Sequence, residues 1–156
     1  AIEEKPLGTG GALKYAIGKT AGSDILVVNG DTYFPVDIEK LWNLHTSKNY
    51  IFTIALKKMK NFSRYGTVKL KGETIASFNE KKYCSEGLIN GGIYLINRSF
   101  IESLEMLEIF SLEKDVLMKK VSEGVFKGLE FDDTFIDIGI PEDYSRAKLL
   151  LGNIDC

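Results

Sequence analysis

Ile25-Leu26-Val27-Val28-Asn29-Gly30-Asp31 is apolar for four residues in a row and then breaks at a turn-forming triplet that ends in a carboxylate. A strand apolar on both faces is expected in the middle of a largely parallel sheet, where helices cover both sides. Ligands of open α/β sheets sit outside the carboxyl ends of such strands. Asp31 is therefore placed to hold Mg²⁺, a hard cation satisfied by one or two carboxylates together with phosphate oxygens and water. The plainer reading of Asp31 is a turn-capping or helix-capping Asp.

Outward from that strand, apolar runs of strand length alternate with helical patterns. Upstream, Ala12 to about Lys19 is predicted as a short helix after a Gly10-Gly11 loop, with Leu13, Ala16 and Ile17 inward. Downstream, Asp37 caps a helix to about Ser47 that carries Ile38, Leu41, Trp42 and His45 on one face. Ile51 to Leu56 is a second buried strand. Tyr65 to Leu70 and Thr74 to Phe78 form a hairpin around Lys71-Gly72. Leu88 to Ile96 is a strand interrupted by Asn90-Gly91-Gly92, which marks a bulge or a close approach to the backbone. Asn97 or Ser99 caps a helix carrying Phe100, Ile101 and Leu104, and Ser111 caps another that stops at Gly124. Phe126 to Phe131 and Phe135 to Ile138 are short strands, and Pro141 opens a last helix with Glu142 and Asp143 in its first turn. The pattern predicts one α/β domain over residues 1–156 with one hairpin excursion.

Composition narrows the function. The 156 residues carry a formal net charge of −2, which gives no support to a nucleic-acid surface. No apolar run approaches the ~20 residues of a membrane span, and no signal peptide opens the chain, so no membrane partner and a cytoplasmic location are expected. Two cysteines, Cys84 and Cys156, are too few for a disulfide framework and read as bystanders. His45 is the single histidine, which excludes His-rich metal sites and reads as a packed core residue.

Three constellations carry chemistry. Glu3-Glu4-Lys5-Pro6-Leu7-Gly8-Thr9-Gly10-Gly11 is a Gly-rich turn opening a helix, with free N–H groups and close access for a flat or anionic ligand. A carboxylate beside it could accept the N1–H and amino hydrogens of guanine; a tight turn with exposed acidic residues is the bland alternative. Asn29-Gly30-Asp31 is the second. The third is Asp137 within Phe135-Ile136-Asp137-Ile138-Gly139, a carboxylate costly to bury unless paired, hydrogen-bonded or metal-bound. Two such aspartates at strand ends suggest a shared cation. Among weaker features, Glu80-Lys81-Lys82 could meet a phosphate or be a solvated strand end, and Arg64-Tyr65-Gly66 could present a backbone group to a sugar or simply begin the hairpin.

In order, Pro-Leu-Gly-Thr-Gly-Gly, Asn-Gly-Asp, Arg-Tyr-Gly-Thr-Val, Asn-Glu-Lys, Ile-Asn-Gly-Gly-Ile-Tyr and Phe-Ile-Asp-Ile-Gly-Ile-Pro-Glu-Asp-Tyr span nearly the whole chain. Taken together they resemble the sugar-1-phosphate nucleotidyltransferases. The resemblance implies a Rossmann-like, mixed and mostly parallel sheet flanked by helices. It also implies a reaction in which a sugar-1-phosphate oxygen attacks the α-phosphorus of a nucleoside triphosphate and pyrophosphate leaves. Asp31 and Asp137 match the family's Mg²⁺ ligands, and Lys81 the lysine on the sugar phosphate. Gly66, Glu80, Asn90 and Gly91 match the sugar-phosphate side. Glu3, Glu4, Pro6, Leu7, Gly8 and Thr9 match the base-reading segment, with Gly30 on the nucleotide side; which glutamate faces the base stays open. Pro6–Gly11, Gly87–Gly92 and Pro141–Tyr144 are most similar to the branch that guanylylates a heptose 1-phosphate for bacterial surface polysaccharides. GTP and a heptose 1-phosphate are then the implied substrates, with mannose 1-phosphate guanylylation or N-acetylmuramate 1-phosphate uridylylation as runners-up. A non-catalytic sugar-nucleotide sensor is a further alternative, disfavoured by the presence of both aspartates.

One departure stands out. The family's Gly-Gly-x-Gly-Thr-Arg-Leu loop and the separate Lys-Pro segment that follows it, distinct from Lys5-Pro6, are not in these residues. The expectation is an N-terminally truncated domain without its first, central strand, inactive by itself because the triphosphate lacks its cradle. An edge exposed by that loss predicts self-association.

Overall fold

The computed structural model describes residues 1–152; Cys156 lies outside them. The elements are α1 (Gly8–Ile17), β1 (Asp24–Val28), β2 (Thr32–Tyr33), α2 (Ile38–Ser47), β3 (Phe52–Phe62), β4 (Gly66–Lys71), β5 (Thr74–Lys81), β6 (Cys84–Asn97) and α3 (Arg98–Glu102). A π-helical segment over Leu112–Leu117 then runs into α4 (Met118–Lys120) and a 3₁₀ turn, Val121–Glu123. β7 (Phe126–Phe131), β8 (Ile136–Asp137) and α5 (Pro141–Leu151) complete the order.

Local chemistry sets several of these bounds. The Asp37 side chain accepts the Lys40 N–H and starts α2, and Ser111 does the same for Lys114 N–H. Gly124 ends the helical run at φ +69°, a left-handed stop that favours glycine. Gly72, at φ +61°, turns the β4–β5 hairpin. Two strands outrun their prediction: β3 extends to Phe62 and β6 starts at Cys84, their outer halves paired in register from Leu56–Asn90 to Phe62–Cys84.

The main sheet has the order β1-β6-β3-β7-β5-β4, with β4 also reaching β6 through Thr67 and Val68. It is mixed and flanked by helices, as expected, but its balance is not the expected one. Among the described pairings only β3–β7 is parallel; the others are antiparallel. β1 is likewise an edge strand rather than an interior one. Ile25 and Val27 pack on the core, whereas Leu26 and Val28 are 43% and 53% exposed. The four-residue apolar run marks two faces able to be covered, and here one of them has no described element over it.

Side-chain alternation along β3 and β6 splits the core into two layers. Phe52, Ile54, Leu56, Tyr94 and Ile96 face the side covered by α1, α3 and the 112–123 helical run. Ala55, Ile93 and Leu95 face the side of α2, with Phe34, Leu41 and Phe131. On α2, Leu41 and His45 are buried, but Ile38 and Trp42 are half-exposed at the edge of the contact.

His45 is the packed histidine expected. It is 1% exposed, with Nδ1 2.8 Å from Thr53 Oγ1 and Nε2 3.3 Å from Asp24 Oδ1. Burial holds its pKa below the ordinary 6.5, against the raising effect of Asp24. The folded protein therefore resists protonation that the unfolded chain accepts, so the His45 contribution is full above pH ~6.5 and is lost as pH falls below it. Thermal melts at pH 7.5 and 5 are expected to show a lower Tm in acid, and His45→Gln to flatten that difference. An unchanged pH slope in the variant contradicts this.

Candidate active site

The short β2–β8 pair brings the two expected metal carboxylates to adjacent backbone rungs. Thr32 lies opposite Asp137, and Ile138 N–H donates to the Asp31 carbonyl at 2.9 Å. Asp31 Oδ1 accepts the neighbouring Thr32 hydroxyl at 3.3 Å, Asp137 Oδ1 accepts Gly139 N–H at 2.8 Å, and Asp137 Oδ2 lies 3.8 Å from Arg64 Nη2. Among the described residues no group of three or more His, Cys, Asp or Glu forms a metal cage. Two carboxylates are a donor set that suits Mg²⁺, which keeps waters and takes substrate phosphate oxygens for its remaining positions. Asp31 and Asp137 are the residues that would hold it.

A cavity of about 230 Å³ gathers four of the five residues expected on the sugar-phosphate side: Gly66 from β4, Glu80 and Lys81 from the end of β5, and Asn90 from β6. The fifth, Gly91, is buried behind that wall, where a Cβ would meet the Phe34 ring at 2.5 Å and the Ala55 carbonyl at 2.7 Å. The Asn90-Gly91-Gly92 interruption is a bulge, as the sequence suggested. The β3–β6 register shifts between Ile54 and Leu56, Gly92 adopts φ +74°, and Asn90 Oδ1 accepts Gly92 N–H at 3.0 Å. The Asn90 amide also donates to Tyr94 Oη at 2.9 Å. Burial, followed by the nearby Glu113 carboxylate, pushes the Tyr94 phenol pKa up, and the Asp31 charge adds to it.

The helical run after Ser111 supplies Glu113, Lys114, Leu117 and Met118 to the same cavity. Sequence reading missed them as site residues. The Ser111 cap was a usable signal, because it fixes which side chains occupy that first turn. Glu113 also accepts the Thr9 hydroxyl at 2.8 Å, and Thr9 Oγ1 accepts Leu112 N–H at 2.9 Å, tying the Gly-rich segment to this wall.

That segment departs from expectation in one respect. The helix starts at Gly8 rather than Ala12, and Gly10 and Gly11 lie inside it. Their N–H groups donate to the Phe110 carbonyl at 3.0 and 3.3 Å, so they are not free for a ligand. They are glycines because a Cβ at either would strike the Phe110 ring or the Glu108 carbonyl. Glu3, Glu4 and Leu7 line a groove of about 470 Å³, while Pro6 is exposed outside it. Glu3, Thr9 and Gly30 line a second groove of about 370 Å³ between α1 and the end of β1. Gly8, at φ +71°, packs against the Phe110 backbone.

Two carboxylates on neighbouring backbone rungs, a sugar-sized cavity and a Gly-rich helix start thus lie in one mixed α/β fold. The sequence pattern of the family described as nucleotidyl transferase matches residues 1–153, and the chain belongs to that family. It is 47% identical over 147 residues to D-glycero-alpha-D-manno-heptose 1-phosphate guanylyltransferase of Aneurinibacillus thermoaerophilus, covering 94% of this chain and 64% of that protein. The protein of the same description from Campylobacter jejuni is 44% identical, with coverages of 92% and 62%. The crystal structure of HddC from Yersinia pseudotuberculosis complexed with GMP-PN superposes with a TM-score of 0.84 at 35% identity, over 97% of this chain and 65% of that one. The chain thus spans just under two thirds of the length of these relatives.

Proposed function

We propose that the protein transfers GMP from GTP to D-glycero-α-D-manno-heptose 1-phosphate, releasing pyrophosphate and forming GDP-heptose. The single observation that carries this reading is the cavity that joins Gly66, Glu80, Lys81 and Asn90 from three strands. The guanylyltransferase relatives support the choice of base and sugar. In this reading residues 1–156 act as one nucleotidyltransferase domain, working in the cytoplasm where GTP is supplied. Among the described residues no helix is long and apolar enough to cross a membrane.

The residues divide the task by chemistry. Lys81 offers a compact ammonium to the sugar phosphate. Asn90 and the Gly66 backbone hydrogen-bond sugar hydroxyls. Glu3 Oε2 already accepts Leu7 N–H at 3.1 Å, which favours Glu4 as the carboxylate that reads guanine. The attacking phosphate oxygen forms a bond to the α-phosphorus as the bond to the bridging oxygen of the β-phosphate breaks. Mg²⁺ on Asp31 and Asp137 would offset the charge that develops there.

A panel of GTP, UTP and ATP against heptose, mannose and N-acetylmuramic acid 1-phosphates, with the gene's full-length product, tests the assignment. The highest kcat/KM is expected for GTP with the heptose ester, and a preference for another pair overturns it. Residues 1–156 are expected to self-associate through the β1 edge, which light scattering checks.

A further inference from the structure

Arg64, Tyr65 and Gly66 are consecutive but serve two places. Gly66 lines the sugar-sized cavity, whereas Arg64 and Tyr65 line a separate cleft of about 360 Å³ that contains Asp137, Asp143 and Arg146. Arg64 Nη1 is ion-paired with Asp143 Oδ2, and Nη2 stands 3.8 Å from Asp137 Oδ2. Asp143 is 8% exposed, and its second oxygen accepts a hydrogen bond from Arg146 Nη1 at 2.7 Å. Releasing the guanidinium would leave a buried carboxylate half-compensated, so Arg64 is pinned. Its contact with Asp137 is long for a hydrogen bond and is an ion pair only, and the Tyr65 hydroxyl reaches the same carboxylate. The Tyr65 ring, 5.6 Å from the guanidinium carbon, covers the other side.

We propose that Arg64 is a positioning residue: anchored on Asp143, it stands as counter-ion to Asp137 and sets how tightly that carboxylate holds a divalent cation. The inference rests on reading Asp31 and Asp137 as metal ligands. A fixed positive charge beside the carboxylate holds it in place before the cation arrives, and repels the cation once bound. The site is then preformed but weak, as suits an ion that comes and goes with phosphate groups.

Mn²⁺ alone, titrated into the full-length product and read by water-proton relaxation, tests this without turnover. Asp137→Asn is the control and lowers the affinity; no change there sinks the metal reading, and this proposal with it. Arg64→Gln is expected to tighten Mn²⁺ binding about three- to tenfold by removing the repulsion. Arg64→Lys keeps the charge and stays within about twofold of the unsubstituted protein. Because Arg64→Gln strands a buried carboxylate, the double variant Arg64→Gln/Asp143→Asn is measured beside it, with a smaller tightening expected because the Asp143 charge is lost as well. Unchanged or weaker Mn²⁺ affinity in these variants, with Asp137→Asn still weakening it, overturns the proposal and leaves Arg64 as a brace for α5.

Discussion

Asp31→Asn in the full-length product is expected to slow pyrophosphate release by roughly two to three orders of magnitude, at saturating GTP and sugar phosphate. Asn keeps the size of the side chain and can still accept the Thr32 hydroxyl, so the fold has no reason to change. What is lost is the negative charge facing the β2–β8 pair, where a cation would bridge protein and phosphate. Asp137→Asn is expected to act in the same range. The double variant is expected to be little worse than either single one, because groups that hold one cation act as a unit. Thermal stability within about 2 °C of the unsubstituted protein would show that the loss is chemical, since each kcal/mol moves Tm by about 2–4 °C in a chain of this size. Near-normal turnover in either single variant contradicts the assignment.

Phe52→Ala carries the largest effect expected on stability. Phe52 is completely buried in β3, next to β6 and β7, and packs edge-to-face on Tyr94, Phe100 and Phe126 at centroid distances of 5.9, 5.7 and 5.2 Å. Truncation removes the apolar transfer energy and leaves a cavity that three aromatic neighbours cannot easily close. The cost is about 3–5 kcal/mol, a fall in Tm of roughly 6–20 °C. Leu26→Ala on the exposed face of β1 is the matched comparison and should cost under about 1 kcal/mol. Chemical denaturation of both variants checks the pair, and equal losses would mean that β1 is covered as well as β3 is.

Signals confined to a few neighbouring residues were legible in the sequence. Asp37 and Ser111 are caps because their side chains reach an N–H three residues on, and Gly72 and Gly124 adopt left-handed conformations that punish a Cβ. The Asn90-Gly91-Gly92 bulge was legible for the same reason. Strand order was not. The apolar run Ile25–Val28 says that both faces can be buried, but which neighbour covers them is decided by chain far away in sequence, and β1 became an edge. Likewise, the Gly-rich segment looked open because nothing local reveals that the Phe110 carbonyl, a hundred residues on, takes the Gly10 and Gly11 N–H groups.

The candidate site divides along the same line. Gly66, Glu80, Lys81 and Asn90 each sit in a short motif, and the fold brings these four to one cavity. Glu113 escaped notice, and Arg64 was read only as part of the Arg64-Tyr65-Gly66 turn, because their meaning lies in partners 104 and 79 residues away, Thr9 and Asp143. A lone Glu in a helix or Arg before a hairpin reads as a solvated charge until such a partner is seen. Asp143 itself passed as a first-turn acid favoured by the helix dipole, whereas the structure uses it buried, between two guanidinium groups.

Which bond is broken, and where the nucleotide goes, separates nucleotidyl transfer from hydrolysis of GTP. The direct measurement follows the label from GTP radiolabelled at the α-phosphate, incubated with the full-length product, Mg²⁺ and D-glycero-α-D-manno-heptose 1-phosphate. The label is predicted to move into GDP-heptose, with one unlabelled pyrophosphate released for each one formed, and to stay in GTP when the sugar phosphate is omitted. Label that remains in GTP with the sugar phosphate present, or that leaves as free GMP without joining the sugar, would contradict it.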